Sequence, residues 1–114
     1  MKCTSSPFSV YAIHQPADDK PFAFAGLWDV WGALATFCIL TTEPNELVRP
    51  VHDRMPVIVP EQMYDLWLSR EVQEPAELAP ALRPYPADAM HAFPVGPAVN
   101  SPKNDGPDCL AAPA

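Results

Sequence analysis

An α+β fold, mainly antiparallel β-sheet with one or two short helices, is what the 114-residue sequence predicts. Three observations carry that expectation. Aromatic and β-branched runs (PFSVYAI, PFAFAGLW, ATFCILT and MPVIV) alternate with clusters of turn formers, the pattern of short strands joined by turns. One stretch, Pro60 to about Arg70, opens as a helix does, with Pro suited to the first helical position and an acid in the first turn. Leu, Ile, Val and Phe total 26 residues, just above the level at which a chain cannot assemble a core. The sequence has room for one small domain.

Taken in order, Pro7 to Ile13 and Pro21 to Trp28 flank the polar, turn-rich HQPADDK and read as a β-hairpin. Gly26 and Gly32 bracket Trp28 and Trp31, which predicts a turn or short helical break before the next strand. That strand, Ala35 to Thr41, is continuously apolar and is expected to be central and buried on both faces. Trp28, Trp31 and Trp67 are assigned to the core, base stacking being the functional alternative. TEPNELVRP makes a loop or short helical turn, and Met55 to Val59 a fourth strand. In the helix that follows, Met63, Leu66 and Trp67 mark the apolar face.

Nine of the sixteen prolines lie between Pro75 and Pro113, so the C-terminal third is expected to be extended and loop-rich. PAELAPALRP makes one or two helical turns. Met90 to Val95 makes an edge strand, because proline cannot donate to a ladder. Residues 1–95 form one domain on this reading, and 96–114 an extended proline-rich segment laid across a surface.

Seven basic against fourteen acidic residues give a net charge of −7, which argues against non-specific binding to a polyanion. Such binding gains its affinity from Lys and Arg displacing counterions, so a nucleic-acid role needs a local basic site. Cys3, Cys38 and Cys109 are odd in number and lack a CxxC pair. Neither a disulfide framework nor a zinc knuckle is supported, and a reducing cytoplasm fits. Phe22 to Leu40 is long and apolar, but Asp29 near its middle would cost roughly 2.5–3.5 kcal/mol in a bilayer, so no membrane span is expected. MKCTSSPFSVY lacks the apolar stretch of a signal peptide. His14 and His91 have no partner at ligand spacing, and no metal site or cofactor is expected.

The chemistry-bearing candidates are His52 and Arg54, in VHDRMPVIV between a polar loop and an apolar strand. A histidine moves protons near neutral pH, and an arginine two residues on lies on the same side of an extended chain, where it suits a phosphate. The plainer reading is a loop histidine followed by a solvated Asp53 and Arg54. Asn100, Lys103 and Asn104 offer donors from a proline-stiffened loop, and an ordinary turn is again the plainer reading. Lys2 disfavours removal of the initiator methionine, so Cys3 is expected to be an internal, ordinary thiol.

In order along the chain, PFSVYAI with PFAFAGLWDVW, then TFCILTTEPNELVRPVHDRMPVIVP, then FPVGPAVNSPKNDGPDCL resemble the C-terminal half of the SOS-response-associated peptidase (SRAP) family. VHDRMPVIV after an ILTT strand is the most specific of these blocks, and together they run from about Pro7 to Leu110. The resemblance implies a partial SRAP-like fold and a protein that crosslinks covalently to abasic sites in single-stranded DNA through an N-terminal cysteine. It also implies self-cleavage of a short leader. His52 matches the family's active-site histidine, which assists opening of the abasic sugar and reversal of the crosslink, and Arg54 matches a residue that holds the DNA backbone. The family's N-terminal cysteine, asparagine and WFEW-like glutamate have no counterpart here. The resemblance therefore implies a truncated domain, inactive alone, or an accessory module that completes a separate N-terminal half.

Overall fold

Prolines and glycines cut the apolar runs into short pieces, and among the described residues no strand exceeds six residues. The computed structural model describes residues 11–14, 20–72 and 74–113. Its strands are β1 (Tyr11–His14), β2 (Ala23–Phe24), β3 (Gly26–Trp31), β4 (Leu34–Ile39), β5 (Thr41–Thr42), β6 (Met55–Pro56), β7 (Ile58–Val59) and β8 (His91–Pro94). They form four antiparallel pairs, β1 with β8, β2 with β7, β3 with β4, and β5 with β6. The helices are α1 (Tyr64–Leu68), entered through a 3-10 turn at Glu61–Met63, and α2 (Pro75–Leu78), continued by a 3-10 turn at Ala79–Leu82. The fold is α+β, as expected.

Three backbone hydrogen bonds join the pairs at one point. The Ala25 amide donates to the Val57 carbonyl (2.8 Å), the Leu40 amide to Ala25 (2.9 Å) and the Val57 amide to Leu40 (2.9 Å). Each residue falls between two strands, so one strand pair hands over to the next without leaving backbone groups unbonded. Two small apolar clusters meet there. One is Ala25, Val57 and Val59 with Met63, Tyr64 and Trp67 packed against it; the other is Val48, Met55, Ile58 and Met90 with Phe22, Leu47 and Tyr85. The buried Met55 to Val59 run is the spine of both, as its sequence predicts.

The expected hairpin between Pro7–Ile13 and Pro21–Trp28 does not form. Residues 1–10 and 15–19 lie outside the described residues, but β1 pairs with β8 and β2 with β7. The hairpin is instead β3–β4, because Trp31 faces Leu34 across a two-residue turn at Gly32-Ala33. Gly32 has a φ of 63°, the left-handed conformation that tight hairpin turns require and that glycine adopts without strain. A Cβ on Gly32 would meet nothing within 4 Å, so substitution there tests the backbone alone. Gly32→Val is expected to lower stability by about 1–2 kcal/mol, and Gly32→Asn by clearly less, in urea unfolding; equal losses would show that φ is not the cause.

Two burial expectations are also corrected. The stretch expected to be central and buried on both faces is β4, and it is exposed along its whole length. Trp28 and Trp31, expected in the core, are 75% and 84% exposed, whereas Trp67 packs on the core and donates from Nε1 to the Gly26 carbonyl (3.3 Å). Apolarity reports what a strand needs to bury, and burial itself needs a second layer. Helix α1 is shorter than Pro60 to Arg70 because its first turn is 3-10 and Ser69 is already extended. The segment from Gly96 is not simply extended, since 3-10 turns at Pro97–Asn100 and Pro107–Leu110 are closed by the Gly96 amide on the Ala111 carbonyl (2.9 Å). Asn104 holds that loop through Nδ2 on the Ala98 carbonyl (2.9 Å), which favours the plain turn reading there.

Candidate functional site

The loop between β5 and β6 carries the titratable candidates, and one asparagine shapes it. Asn45 is buried, and its Oδ1 accepts from the Leu47 and Val48 amides (3.1 and 3.0 Å). This is the local bonding by which Asn starts a turn. The turn then closes itself, with the Arg49 amide on the Asn45 carbonyl, and the Val51 and His52 amides on Val48. Asn45 also ties the loop down: Nδ2 donates to the Tyr85 carbonyl (2.6 Å) and lies 3.4 Å from the Met90 sulfur, while its amide lies 3.3 Å from the Met55 sulfur. His52 thus leaves a rigid loop immediately before the buried β6.

The His52 ring meets the backbone of Arg54 across a bend at Asp53. The Arg54 amide donates to His52 Nδ1 (2.9 Å), while the Arg54 carbonyl and Asp53 Oδ1 lie 3.0 and 3.1 Å from the same nitrogen. A bare Nδ1 accepts from the amide; a protonated Nδ1 donates to the carbonyl or the carboxylate. This nitrogen therefore has a partner in either protonation state, a useful property in a group that must gain and lose a proton. The imidazole side chain is 32% exposed and Asp53 is 91% exposed, so the ring is partly sheltered while its charged neighbour stays in water.

Arg54 is aimed by Thr41. Its Nη2 donates to the Thr41 carbonyl (2.8 Å) and to Thr41 Oγ1 (3.1 Å), and Nε reaches the same hydroxyl (3.3 Å). The pairing of Thr41 with Pro56 and Thr42 with Met55 sets this reach, because it holds β5 beside the strand that Arg54 enters. Among the described residues nothing accepts from Nη1, so one edge of an exposed guanidinium faces outward. A phosphate oxygen is the natural partner for such an edge. Thr41 and Asn45 were not singled out from the sequence as part of this site. The signal for Asn45 was present, since an Asn after proline and before ELV is a turn starter; the Thr41 contact depends on strand pairing and had none.

Cys38 stands on the exposed β4 and Cys109 in the C-terminal 3-10 turn, its thiol 3.5 Å from the Asn104 carbonyl; both are free thiols. Cys3 lies outside the described residues. Among the described residues no group of three or more His, Cys, Asp or Glu is placed to hold a metal, and no helix is long and apolar enough to cross a membrane.

Comparison with known proteins places the chain in a family. The family model for SOS response associated peptidase (SRAP) matches residues 2–102. The Bacillus subtilis abasic site processing protein YoqW is 45% identical over 94 residues, which cover 78% of this chain and 42% of YoqW. The chicken abasic site processing protein HMCES is 34% identical over 93 residues, covering 75% of this chain and 27% of its own. A crystal structure of a Bacteroides thetaiotaomicron protein superposes with a TM-score of 0.77 at 26% identity, over 91% of this chain and 48% of that one. The chain spans less than half the length of these relatives, and the family match over residues 2–102 identifies it as a member of the SRAP family.

Proposed function

We propose that the chain supplies the histidine–arginine part of a centre that handles abasic sites in single-stranded DNA. The observation that carries this reading is the joint anchoring of the two residues: Arg54 is fixed by Thr41 through its guanidinium and by His52 through its amide. An abasic deoxyribose is closed as a hemiacetal. Opening it to the aldehyde moves a proton from the anomeric hydroxyl to the ring oxygen, and His52 is the group suited to relay it. Arg54 holds the adjacent phosphate, giving the acidic chain the local cation that DNA binding demands.

Covalent capture of the aldehyde and the peptidase step belong, on this reading, to the part of the domain that the matched segment does not cover. The working compartment is the cytoplasm, in keeping with the free thiols of Cys38 and Cys109. Residues 96–114 serve as a closing segment outside the domain proper.

Incubation with an abasic single-stranded oligonucleotide followed by denaturing electrophoresis tests the division of labour. Non-covalent binding in fluorescence anisotropy with no shifted denatured band is the expected result. A band lost in Cys3→Ser would overturn it by making this chain the crosslinking agent, and absence of binding would remove the DNA reading.

A further inference from the structure

Asp53 stands between the two residues of the site, and its carboxylate reaches back to the ring of the first. Three atoms surround the same nitrogen of His52, and they make unlike demands on it. The Arg54 amide, at 2.9 Å, can only donate. While it points at Nδ1 that nitrogen is bare, and the neutral ring carries its proton on Nε2. The Arg54 carbonyl at 3.0 Å and Asp53 Oδ1 at 3.1 Å can only accept, so they hold the ring once Nδ1 carries a proton. Arg54 by itself thus offers one donor and one acceptor. Asp53 supplies a second acceptor, a charged one, and tips the ring toward Nδ1–H.

The two arrangements are not equally able to relay a proton. When the abasic hemiacetal opens, the anomeric O–H bond breaks and its electron pair becomes the second bond of the aldehyde. The bond from the anomeric carbon to the ring oxygen breaks, and its pair stays on that oxygen, which takes up a proton. One proton leaves the sugar and one returns, with no oxidant or reductant. With the Arg54 amide on Nδ1, Nε2 already holds the ring's proton, and giving it up would leave an imidazolate. With a proton held on Nδ1, Nε2 takes the hydroxyl proton and delivers one to the ring oxygen, and the ring alternates between neutral imidazole and imidazolium. We propose that Asp53 is the positioning residue for this relay: its carboxylate holds Nδ1–H and so keeps His52 in the arrangement in which Nε2 moves the proton. The inference rests on the reading that His52 serves abasic-site opening. The Arg54 carbonyl is the competing acceptor, but a bond from a protonated imidazole to a carboxylate is charge-assisted, and about twice as strong as a neutral one. Asp53 is 91% exposed, and screening by water limits its effect on the relay to about two- to fivefold.

Two measurements on the full chain test this. The first is NMR of the imidazole nitrogens in protein labelled at histidine, with the His52 signals assigned by their loss in His52→Ala. In Asp53→Ala the neutral His52 ring is expected to shift toward the Nε2–H tautomer, and in Asp53→Glu to return toward wild type. The second uses an abasic single-stranded oligonucleotide labelled at the anomeric carbon. Exchange of that carbon between its two hemiacetal forms passes through the open aldehyde, so its rate at saturating protein reports ring opening apart from affinity. Wild type is expected to speed the exchange and His52→Ala not to. Asp53→Ala is expected to slow it about two- to fivefold, Asp53→Asn by less, because an amide oxygen still accepts, and Asp53→Glu to restore it. An unchanged tautomer in Asp53→Ala overturns the proposal, since the Arg54 carbonyl then suffices. So does a slower exchange that Asp53→Glu fails to restore. If wild type speeds no exchange, the DNA reading fails, and the nitrogen spectra alone decide whether Asp53 positions the ring.

Discussion

Arg54→Ala is expected to weaken binding of an abasic single-stranded oligonucleotide about tenfold and to lower the slope of log affinity against log salt by about one. A hydrogen bond to a charged group contributes about 1.5–3 kcal/mol. Because Arg54 is exposed, solvent and salt screening place the expected loss at the lower end. The fold in the slope follows from removing one phosphate contact. The same substitution removes three hydrogen bonds to Thr41, so part of the loss could come from a loosened β5–β6 pair. Two companions separate these effects. Thr41→Val removes the two bonds to the hydroxyl, keeping the charge and the bond to the Thr41 carbonyl, and is expected to give a smaller loss with an unchanged salt slope. Arg54→Lys keeps the charge without the planar fork, and is expected to fall between wild type and alanine in affinity with the wild-type slope. His52→Ala is expected to spare affinity, since its role is proton transfer. Anisotropy over a salt series measures all four, and equal losses from His52→Ala and Arg54→Ala would defeat the separation of roles.

Asn45→Ala is expected to be the most damaging single change to stability, at about 2–4 kcal/mol. One buried amide serves several partners, and alanine abandons them together: the Leu47 and Val48 amides lose an acceptor and the Tyr85 carbonyl loses a donor. A buried polar group left unsatisfied costs about 1–3 kcal/mol, and more than one is exposed to that penalty here. For a domain near this size, 1 kcal/mol moves the melting temperature by roughly 4–8 °C, so a fall of about 10–20 °C is anticipated in a calorimetric or dichroism melt. Asn45→Asp is the sharper variant. It keeps the acceptor for Leu47 and Val48 but faces the Tyr85 carbonyl with an oxygen, so it is expected to recover part of the loss and not all of it. A melt within 3 °C of wild type for Asn45→Ala, about half the shift of a single kcal/mol, would show that the loop is held by its backbone turns alone.

Local signals served the sequence reading well where the cause was local. Pro60 and Glu61 lead through a 3-10 turn into α1, Met55 to Val59 supplies buried core residues as its composition asks, and Pro94 ends β8, which pairs with β1 alone among the described residues. Pairing was another matter. PFSVYAI and PFAFAGLW are neighbours in sequence, yet their partners are β8 and β7, chosen by which apolar strands can share the Ala25–Leu40–Val57 junction. The burial of Trp28, Trp31 and β4 was misjudged for a related reason: one chain's composition does not disclose whether a second layer is present. At the candidate site, His52 and Arg54 were visible because they are two residues apart in one loop, whereas Thr41 entered through strand register and the anchoring of Asn45 through a contact with Tyr85, 40 residues away.

The pairing of β1 with β8 sets the order of events as the chain is made. Its strands lie roughly 80 residues apart, whereas β3 and β4 close across two residues. The entropy of loop closure rises with the logarithm of that separation, so β3 and β4 sample their pairing on the microsecond scale once synthesised while β1 waits. At about 5–20 residues per second, a nascent chain carries β1 without its partner for roughly 4–16 s before β8 has been added. Throughout that interval the apolar β3 and β4 segments are displayed, paired only marginally. The nascent chain therefore exposes apolar strands before their long-range partner exists, and pulse-labelled hydrogen exchange is expected to find β1 protected only once β8 has been added.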